Sequence, residues 1–148
     1  MSSPMPFAMT RAEREAFLAE THVGVLSVAE SGRGPFAVPV WYGYEPGGVV
    51  RIVTGGTSRK LPLLRQAGRA SLCVQDETPP YRYVTIDGPV TIGQPDFERD
   101  VREIAIRYLG AQMGDAYLQA TAVEHESAVL VTLRPQHWLS VDFRKWQM

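Results

Sequence analysis

The chain has 148 residues, of which 45% are hydrophobic, and its 15 basic and 16 acidic side chains leave a net charge of −1. This length is enough for one domain with its own hydrophobic core, which we expect to span residues 1–148. The balanced charge excludes both a basic field over the whole surface and the acidic excess of many disordered chains, so any anion must be recognised locally.

Cysteine content and hydropathy indicate the compartment. The single cysteine, Cys73, has no partner for an intrachain disulfide and lies in an apolar strand pattern, which is typical of a buried thiol in a reducing compartment. No apolar run is long enough to cross a bilayer, and the N-terminus lacks the features of a signal peptide. We therefore expect a cytoplasmic protein that binds neither nucleic acid nor membrane.

The N-terminal half combines one helix with short strands. Residues 1–9 are predicted to be a flexible segment. Thr10 followed by Glu13 is a capping-box pattern, which predicts a helix over residues 11–20 with Phe17 and Leu18 turned inward. Apolar runs and turn signals predict strands at residues 23–29, 36–44 and 49–54, separated by turns at 30–34 and 45–48.

The sequence TGGTSRK at residues 54–60 is a candidate anion site at the start of a short helix. Glycines let the backbone approach a ligand, and the unpaired N–H groups and dipole of a helix N-terminus favour an anion. Arg59 can add a bidentate donor and Lys60 a compact charge. Thr57 and Ser58 either donate to the anion or cap the helix. The alternative is an ordinary turn with two solvated cations.

The C-terminal half begins with that helix, for which Leu61, Leu63 and Leu64 supply an inward face and Gly68 a stop. Asp96 is predicted to cap a later helix, whose inward face is formed at helical spacing by Phe97, Val101, Ile104, Ala105, Tyr108 and Leu109. The predicted elements are strands at 70–75 and 81–92, the latter kinked at 87–89, helices at 97–109 and 111–122, and strands at 128–133 and 137–143, broken at Arg134–Pro135.

No cluster of residues indicates metal or nucleophilic chemistry. His22, His125 and His137 have no metal-ligand spacing and no cysteine partner. No ordered Ser-His-Asp set is recognisable either. We therefore predict no metal and no catalytic side chain.

Three segments carry a family resemblance. VPVWY at 38–42, SRK at 58–60 followed by LPLLRQAGRASLCV, and PYRYVTIDG at 80–88 occur in the order found in the FMN-binding split-barrel superfamily. The chain resembles that superfamily, which includes pyridoxamine-phosphate oxidases and deazaflavin (F420)-dependent reductases, from about residue 21 to residue 143. The resemblance implies a mainly β (α+β) fold, an antiparallel Greek-key split β-barrel with flanking helices.

The resemblance also implies a homodimer with two cofactor sites at its interface. Its implied cofactor-binding residues are Ser58, Arg59 and Lys60 at the phosphate with Thr54 assisting, Val38, Pro39 and Val40 beside the ring, and Trp41 and Tyr81 on the substrate side. The alternative for Trp41 is core or dimer packing, and for Tyr81 a place at the rim.

The implied function is hydride transfer from the reduced cofactor to a small planar acceptor, quinone-like or enone-like. PYRYVTIDG and the compact length resemble the actinobacterial F420-dependent branch, so F420 is the first cofactor and FMN the second. The C-terminal substrate signature of pyridoxamine-phosphate oxidases is missing. A different class, a non-catalytic protein that binds F420, flavin or haem, remains open.

Overall fold

A curled antiparallel sheet with flanking helices forms the centre of the protein, which confirms the predicted split-barrel class. The computed structural model describes residues 6–146. Within them the strands are β1 (Gly24–Val28), β2 (Phe36–Val40), β3 (Val50–Thr54), β4 (Arg69–Gln75), β5 (Arg82–Gly93), β6 (Val129–Leu133) and β7 (His137–Asp142). The helices are α1 (Arg11–Ala19), α2 (Lys60–Ala67), α3 (Glu103–Leu109), α4 (Ala111–Ala120) and α5 (Ala122–His125), with a π-helical turn at Phe97–Arg102 and a 3-10 turn at Phe143–Lys145.

The long strand β5 joins the two parts of the sheet. The strand order is β2-β1-β4-β5-β6-β3, and β7 pairs with the first part of β5. Residues 82–87 of β5 pair with β7, whereas residues 90–93 pair with β6, all antiparallel. On its other edge β5 pairs with β4 along residues 83–89.

The predicted kink in β5 and the predicted break before β7 lie opposite each other. Residues 134–136 oppose only residues 88 and 89, so this pairing contains a bulge. Gln136 N donates to Asp87 O at 2.8 Å across it. A side chain at Gly88 would collide with the carbonyl oxygen of Arg134, so the close approach requires glycine.

Helix α1 closes one side of the core, as the sequence predicts. Glu13 N donates to Thr10 Oγ1 at 3.2 Å and Thr10 N donates to Glu13 Oε1 at 2.7 Å, which confirms the capping box. Phe17 and Leu18 are 1% and 0% exposed. The Tyr42 hydroxyl donates to Leu18 O at 2.7 Å and so ties α1 to the segment after β2.

Strand β2 is shorter than predicted. It ends at Val40, opposite Gly24, instead of continuing to residue 44. Beyond Val40 the backbone leaves β1 and turns toward β3, where Gly43 N donates to Arg51 O at 2.8 Å. Tyr42 and Tyr44 are nevertheless buried, as the alternation predicts, because the segment beside β3 still faces the main core.

Two expectations about burial are wrong. Phe97 is 53% exposed, whereas Val101 is buried as predicted and the polar Asp100 is buried beside it. The reason is the π-helical turn, whose wider repeat shifts the inward face away from 3.6-residue spacing. Cys73 is partly exposed because Leu72 and Val74, its neighbours in β4, take the inward positions.

The described residues contain no helix with the length and apolar composition that a membrane crossing requires. Of the predicted flexible segment 1–9, residues 1–5 lie outside the described part. Residues 6–9 run beside β7, where Met9 N donates to Ser140 Oγ at 3.1 Å and Asp142 N donates to Phe7 O at 2.8 Å.

Candidate functional site

A cavity of about 470 Å³, here called the Lys60 cavity, opens beside β2 and β3. Its walls are mostly apolar, and Val40, Ile52 and Val53 contribute to them. Two aromatic side chains, Trp41 and Tyr117, also line it. An apolar cavity with few polar groups is the usual form of a small-molecule site.

Lys60, at the first position of α2, is the charged residue of this lining. Its Nζ donates to Ser58 Oγ at 2.9 Å, and no carboxylate lies within ion-pair distance among residues 6–146. Burial lowers the pKa of Lys60 below the ordinary value of 10.5. A half-buried ammonium without a counter-ion can bind an anionic group strongly, because part of its hydration is already lost.

The glycine turn before Lys60 is held tightly against the segment that leads into β6. A Cβ at Gly56 would lie 2.5 Å from Ser127 O, so only glycine permits this approach. Ser58 N donates to Gly55 O at 3.1 Å, which closes the turn and sets the Ser58 hydroxyl beside Lys60.

Arg59 points away from the Lys60 cavity. Its guanidinium donates to both carboxylate oxygens of Glu30, at 2.9 and 3.0 Å, and lies 4.5 Å from the ring centroid of Phe36. The structure therefore separates the two cations that the sequence placed at one phosphate, since Arg59 already has a carboxylate and an aromatic neighbour.

Trp41 is fixed by an aromatic stack. Its ring lies 5.0 Å from that of Tyr108 with an interplanar angle of 6°, and Tyr117 lies 5.7 Å away in a tilted arrangement. The Tyr108 hydroxyl donates to His22 O at 2.6 Å and accepts from Tyr42 N at 3.0 Å. Burial raises the pKa of Tyr108, so its hydroxyl stays protonated and keeps both bonds.

The structure brings several of the predicted residues together at this cavity. Pro39, Val40, Trp41 and Lys60 all line it. Ser58 contacts Lys60 directly. Their contact with a cofactor stays a prediction.

Three other predicted residues lie elsewhere within one chain. Val38 packs against the main core. Thr54 is the last residue of β3, half-buried and next to the cavity-lining Val53. Tyr81 is 47% exposed just before β5 and is not part of the cavity lining. Their roles at a cofactor likewise stay predictions.

Sequence reasoning missed the helical side of the cavity. Tyr117, from α4, reaches it, and His125, from α5, lies in a smaller recess behind Trp41 and Tyr117. The His125 Nε2 atom is 2.8 Å from Thr121 Oγ1. The signal available was the pair of aromatic residues, Tyr108 and Tyr117, in consecutive helices, but the sequence does not show which strand these helices cover.

A group of potential metal ligands also went unpredicted. Ligand atoms of Glu20, His22 and Asp76 lie within 4.8 Å of one another. However, the Arg82 guanidinium is 2.6 Å from Asp76 and 3.3 Å from Glu20, so these carboxylates already have a cation.

Comparison with known proteins identifies relatives at the levels of family and fold. Residues 10–142 match the family described as pyridoxamine 5′-phosphate oxidase. No curated protein matches the chain. A conserved hypothetical protein from Mycobacterium tuberculosis is similar in structure, with 22% identity, a TM-score of 0.80 and coverage of 97% of this chain and 92% of that one.

Two further solved structures share the fold. An F420 reductase has 18% identity and a TM-score of 0.61, with 93% of this chain and 98% of that one covered. A FAD and heme binding protein from Mycobacterium smegmatis has 18% identity and a TM-score of 0.70, with 94% and 74% covered.

Proposed function

Because the chain belongs to the pyridoxamine 5′-phosphate oxidase family, we propose that it is an oxidoreductase that transfers a hydride from reduced F420 to a small planar acceptor, quinone-like or enone-like. FMN is the second candidate cofactor. The observation that carries the proposal is Lys60, a half-buried cation without a carboxylate partner, at an apolar cavity that Trp41 also lines.

The residues of the cavity suit a cofactor that has both an anionic phosphate and an apolar ring. The Lys60 ammonium and the Ser58 hydroxyl supply donors for the phosphate. Val40, Ile52 and Trp41 supply apolar surface for the ring. The volume of about 470 Å³ lies within the usual range for small-molecule sites.

In this proposal the chain binds and orients, and the hydride chemistry belongs to the bound cofactor. Lys60 and Ser58 would fix the phosphate end, which sets how far the ring enters the cavity. The apolar walls would exclude water from the reacting face. Trp41, held by its stack on Tyr108, would present a rigid surface to ring or acceptor.

F420 is preferred to FMN for two reasons. Residues 80–88 and the compact length resemble the deazaflavin-dependent branch. An F420 reductase is also among the proteins of similar fold.

A binding protein without turnover is the second candidate, and the lining of the cavity supports it. Among the described lining residues, Lys60 and Tyr117 are the side chains with a proton to donate, and neither is a carboxylic acid or a histidine. A haem would need an axial ligand, and the nearest histidine, His125, lies in the recess with its Nε2 beside Thr121.

Titration of the purified protein with F420 and FMN tests the proposal directly. We expect saturable quenching of cofactor fluorescence, tighter for F420, and oxidation of reduced F420 when quinones or enones are added. Binding of F420 without turnover across a broad acceptor panel would support the binding protein instead. Failure to bind either cofactor would reject both.

We also propose that the protein is a homodimer with cofactor sites at the interface. A mostly apolar row, with one threonine in it, crosses the outer face of the sheet, where Val25 pairs with Cys73, Cys73 with Thr85 and Thr85 with Leu139. Val25 and Leu139 are 41% and 44% exposed in the single chain. A row of apolar side chains in register is the surface that a second copy would cover.

Light scattering after size-exclusion chromatography tests the dimer. We expect a dimer for the native chain and a monomer for Leu139→Arg. A matched control is Val123→Arg, at a residue that is 75% exposed on α5, away from the row. A monomeric native chain, or equal effects of the two substitutions, would reject the proposed interface.

A further inference from the structure

A second cavity, of about 360 Å³, lies between α1, the turn before β3 and the bulge that precedes β7. It shares no lining residue with the Lys60 cavity. Arg11, Arg14 and Arg134 line it together with one acid, Glu15, so its formal charge is three minus one, or +2. Here it is called the Arg14 cavity.

Glu15 neutralises Arg11 and leaves the charges of Arg14 and Arg134 without a counter-ion within the described residues. Glu15 pairs with Arg11, whose side chain is 79% exposed, at 3.3 Å. Among residues 6–146, neither Arg14 nor Arg134 has a carboxylate within ion-pair distance. The remaining positive charge is therefore available to a ligand.

Arg14 carries a buried donor without an acceptor. Its Nε is fully enclosed and makes no hydrogen bond within the described residues. Its guanidinium lies 4.6 Å from the ring centroid of Trp138. Stacking on an indole leaves the in-plane N–H groups free, and a buried N–H without a partner costs free energy until an acceptor reaches it.

Tyr44 provides a second donor in the same cavity. The residue is 4% exposed, and its hydroxyl accepts from Gly47 N at 3.3 Å. Its own proton has no acceptor among the described residues. Burial raises the pKa of Tyr44, so the proton stays on the hydroxyl and can be donated.

We propose that the Arg14 cavity binds the phosphate or carboxylate group of a small metabolite. The Arg14 guanidinium and the Tyr44 hydroxyl donate to the oxyanion, and Arg134, which also lines the cavity, adds charge. Planar guanidinium groups suit either anion. The site is separate from the Lys60 cavity and does not depend on the function proposed for it.

Nitrogen-15 NMR of the arginine Nε–H groups tests this site, because the resonance of Arg14 reports on its surroundings directly. Samples of the full chain are titrated at low ionic strength with phosphate, pyrophosphate and citrate, and the Arg14 resonance is assigned by its loss in Arg14→Gln. We expect a saturable shift of that resonance, with phosphates or with citrate depending on which anion the cavity prefers. Calorimetry with the preferred anion then compares variants.

Arg14→Gln is expected to weaken binding of that anion by at least about tenfold, the effect of losing one charge-assisted hydrogen bond. The matched control, Arg33→Gln, changes an exposed arginine of the turn at residues 30–34 and should leave affinity unchanged. Lys60→Ala should not alter the shift of Arg14, whichever cofactor the other cavity takes. The tyrosine variant Tyr44→Phe, which removes only the hydroxyl, should weaken binding while the fold is kept.

Two results would overturn the site. One is an Arg14 resonance that does not shift saturably with phosphate, pyrophosphate or citrate. The other is equal weakening by Arg14→Gln and Arg33→Gln, which would mean non-specific attraction to surface charge. If Arg14→Gln fails to fold, the Arg14 resonance of the native chain and the anion affinity of Tyr44→Phe still test the site.

Discussion

Two cations near the Lys60 cavity have opposite surroundings. Arg51, on β3, is 12% exposed and lies 3.1 Å from the carboxylate of Asp100. Lys60, on α2, contacts only the Ser58 hydroxyl among the described residues. The first cation is already neutralised within the fold, whereas the second keeps its charge for a ligand. Burial alone therefore does not show what a cation does in this fold, and the partner of each cation distinguishes the two.

The carboxylate of Asp100, which pairs with Arg51, also accepts hydrogen bonds from other groups. Asp100 is 0% exposed and accepts hydrogen bonds from Arg51, Arg99 and the backbone N–H of Asp96. Burial raises the pKa of Asp100, but hydrogen bonds from Arg99, Asp96 and Arg51 outweigh it and hold the pKa below the ordinary value.

The largest effect is expected for Asp100→Ala. Removing one member of a buried ion pair leaves the other charge without compensation, so we expect the free energy of unfolding to fall by about 3–5 kcal/mol. Urea denaturation measures this. Glu98→Ala, at a mostly exposed acid of the same turn, is the control and should have little effect. A small loss for Asp100→Ala would remove the distinction between the two cations.

Lys60→Ala should weaken cofactor binding without destabilising the fold. We expect cofactor affinity to fall by about 1–3 kcal/mol, the range for one charge-assisted contact, while the free energy of unfolding changes little. Fluorescence titration with F420 and FMN measures the affinity. Arg65→Ala, at an exposed position of the same helix, should leave it unchanged. Unchanged affinity of Lys60→Ala for both cofactors would contradict the anchoring role.

Cofactor affinity should also fall at alkaline pH. Burial lowers the pKa of Lys60, so its ammonium loses its proton at a lower pH than an ordinary lysine at 10.5. Anion binding needs the charged form and should weaken as the pH rises toward and through that range. Titrations across the alkaline range check this, and the dependence should be absent in Lys60→Ala. A dependence that persists in the variant would assign the effect to another group.

The smallest effect is expected for Arg59→Ala. Its pair with Glu30 is half-exposed on the arginine side, so its loss should cost no more than about 1 kcal/mol of stability. We expect a smaller loss of cofactor affinity than for Lys60→Ala, because Arg59 points away from the cavity. Parallel fluorescence titrations of Arg59→Ala and Lys60→Ala with F420 and FMN measure the two losses. An equal loss would mean that Arg59 leaves Glu30 when a phosphate binds.

The sequence predicted those elements whose cause is local. The capping box of α1 and the alternation of β2 and β3 depend on neighbouring residues. Trp41 directly follows β2 and Lys60 begins α2, and both line one cavity. The two irregularities of the sheet, at residues 87–89 and 134–136, were predicted separately from their glycine and proline residues. Their juxtaposition was not, since it depends on the register of β5.

Features that depend on distant contacts could not be predicted. Arg59 is turned aside by Glu30, which lies 29 positions earlier in the chain. Asp100 belongs to a polar stretch that would normally face solvent, and its burial depends in part on Arg51, which lies 49 positions earlier in the chain. Tyr117 reaches the cavity because α4 packs on α3 and its Leu118 belongs to a small cluster that also contacts Val53, an arrangement that periodicity within the helix does not encode.

The shared strand β5 has a consequence for how the protein opens. Because β4, β6 and β7 all pair with it, β5 becomes fully unpaired only when both parts of the sheet have come apart. Amide protons of β5 should therefore be among the last to exchange with deuterium. A circular permutant with new termini in residues 82–93 would release both halves at once, whereas termini in the exposed turn at 30–34 would leave them joined.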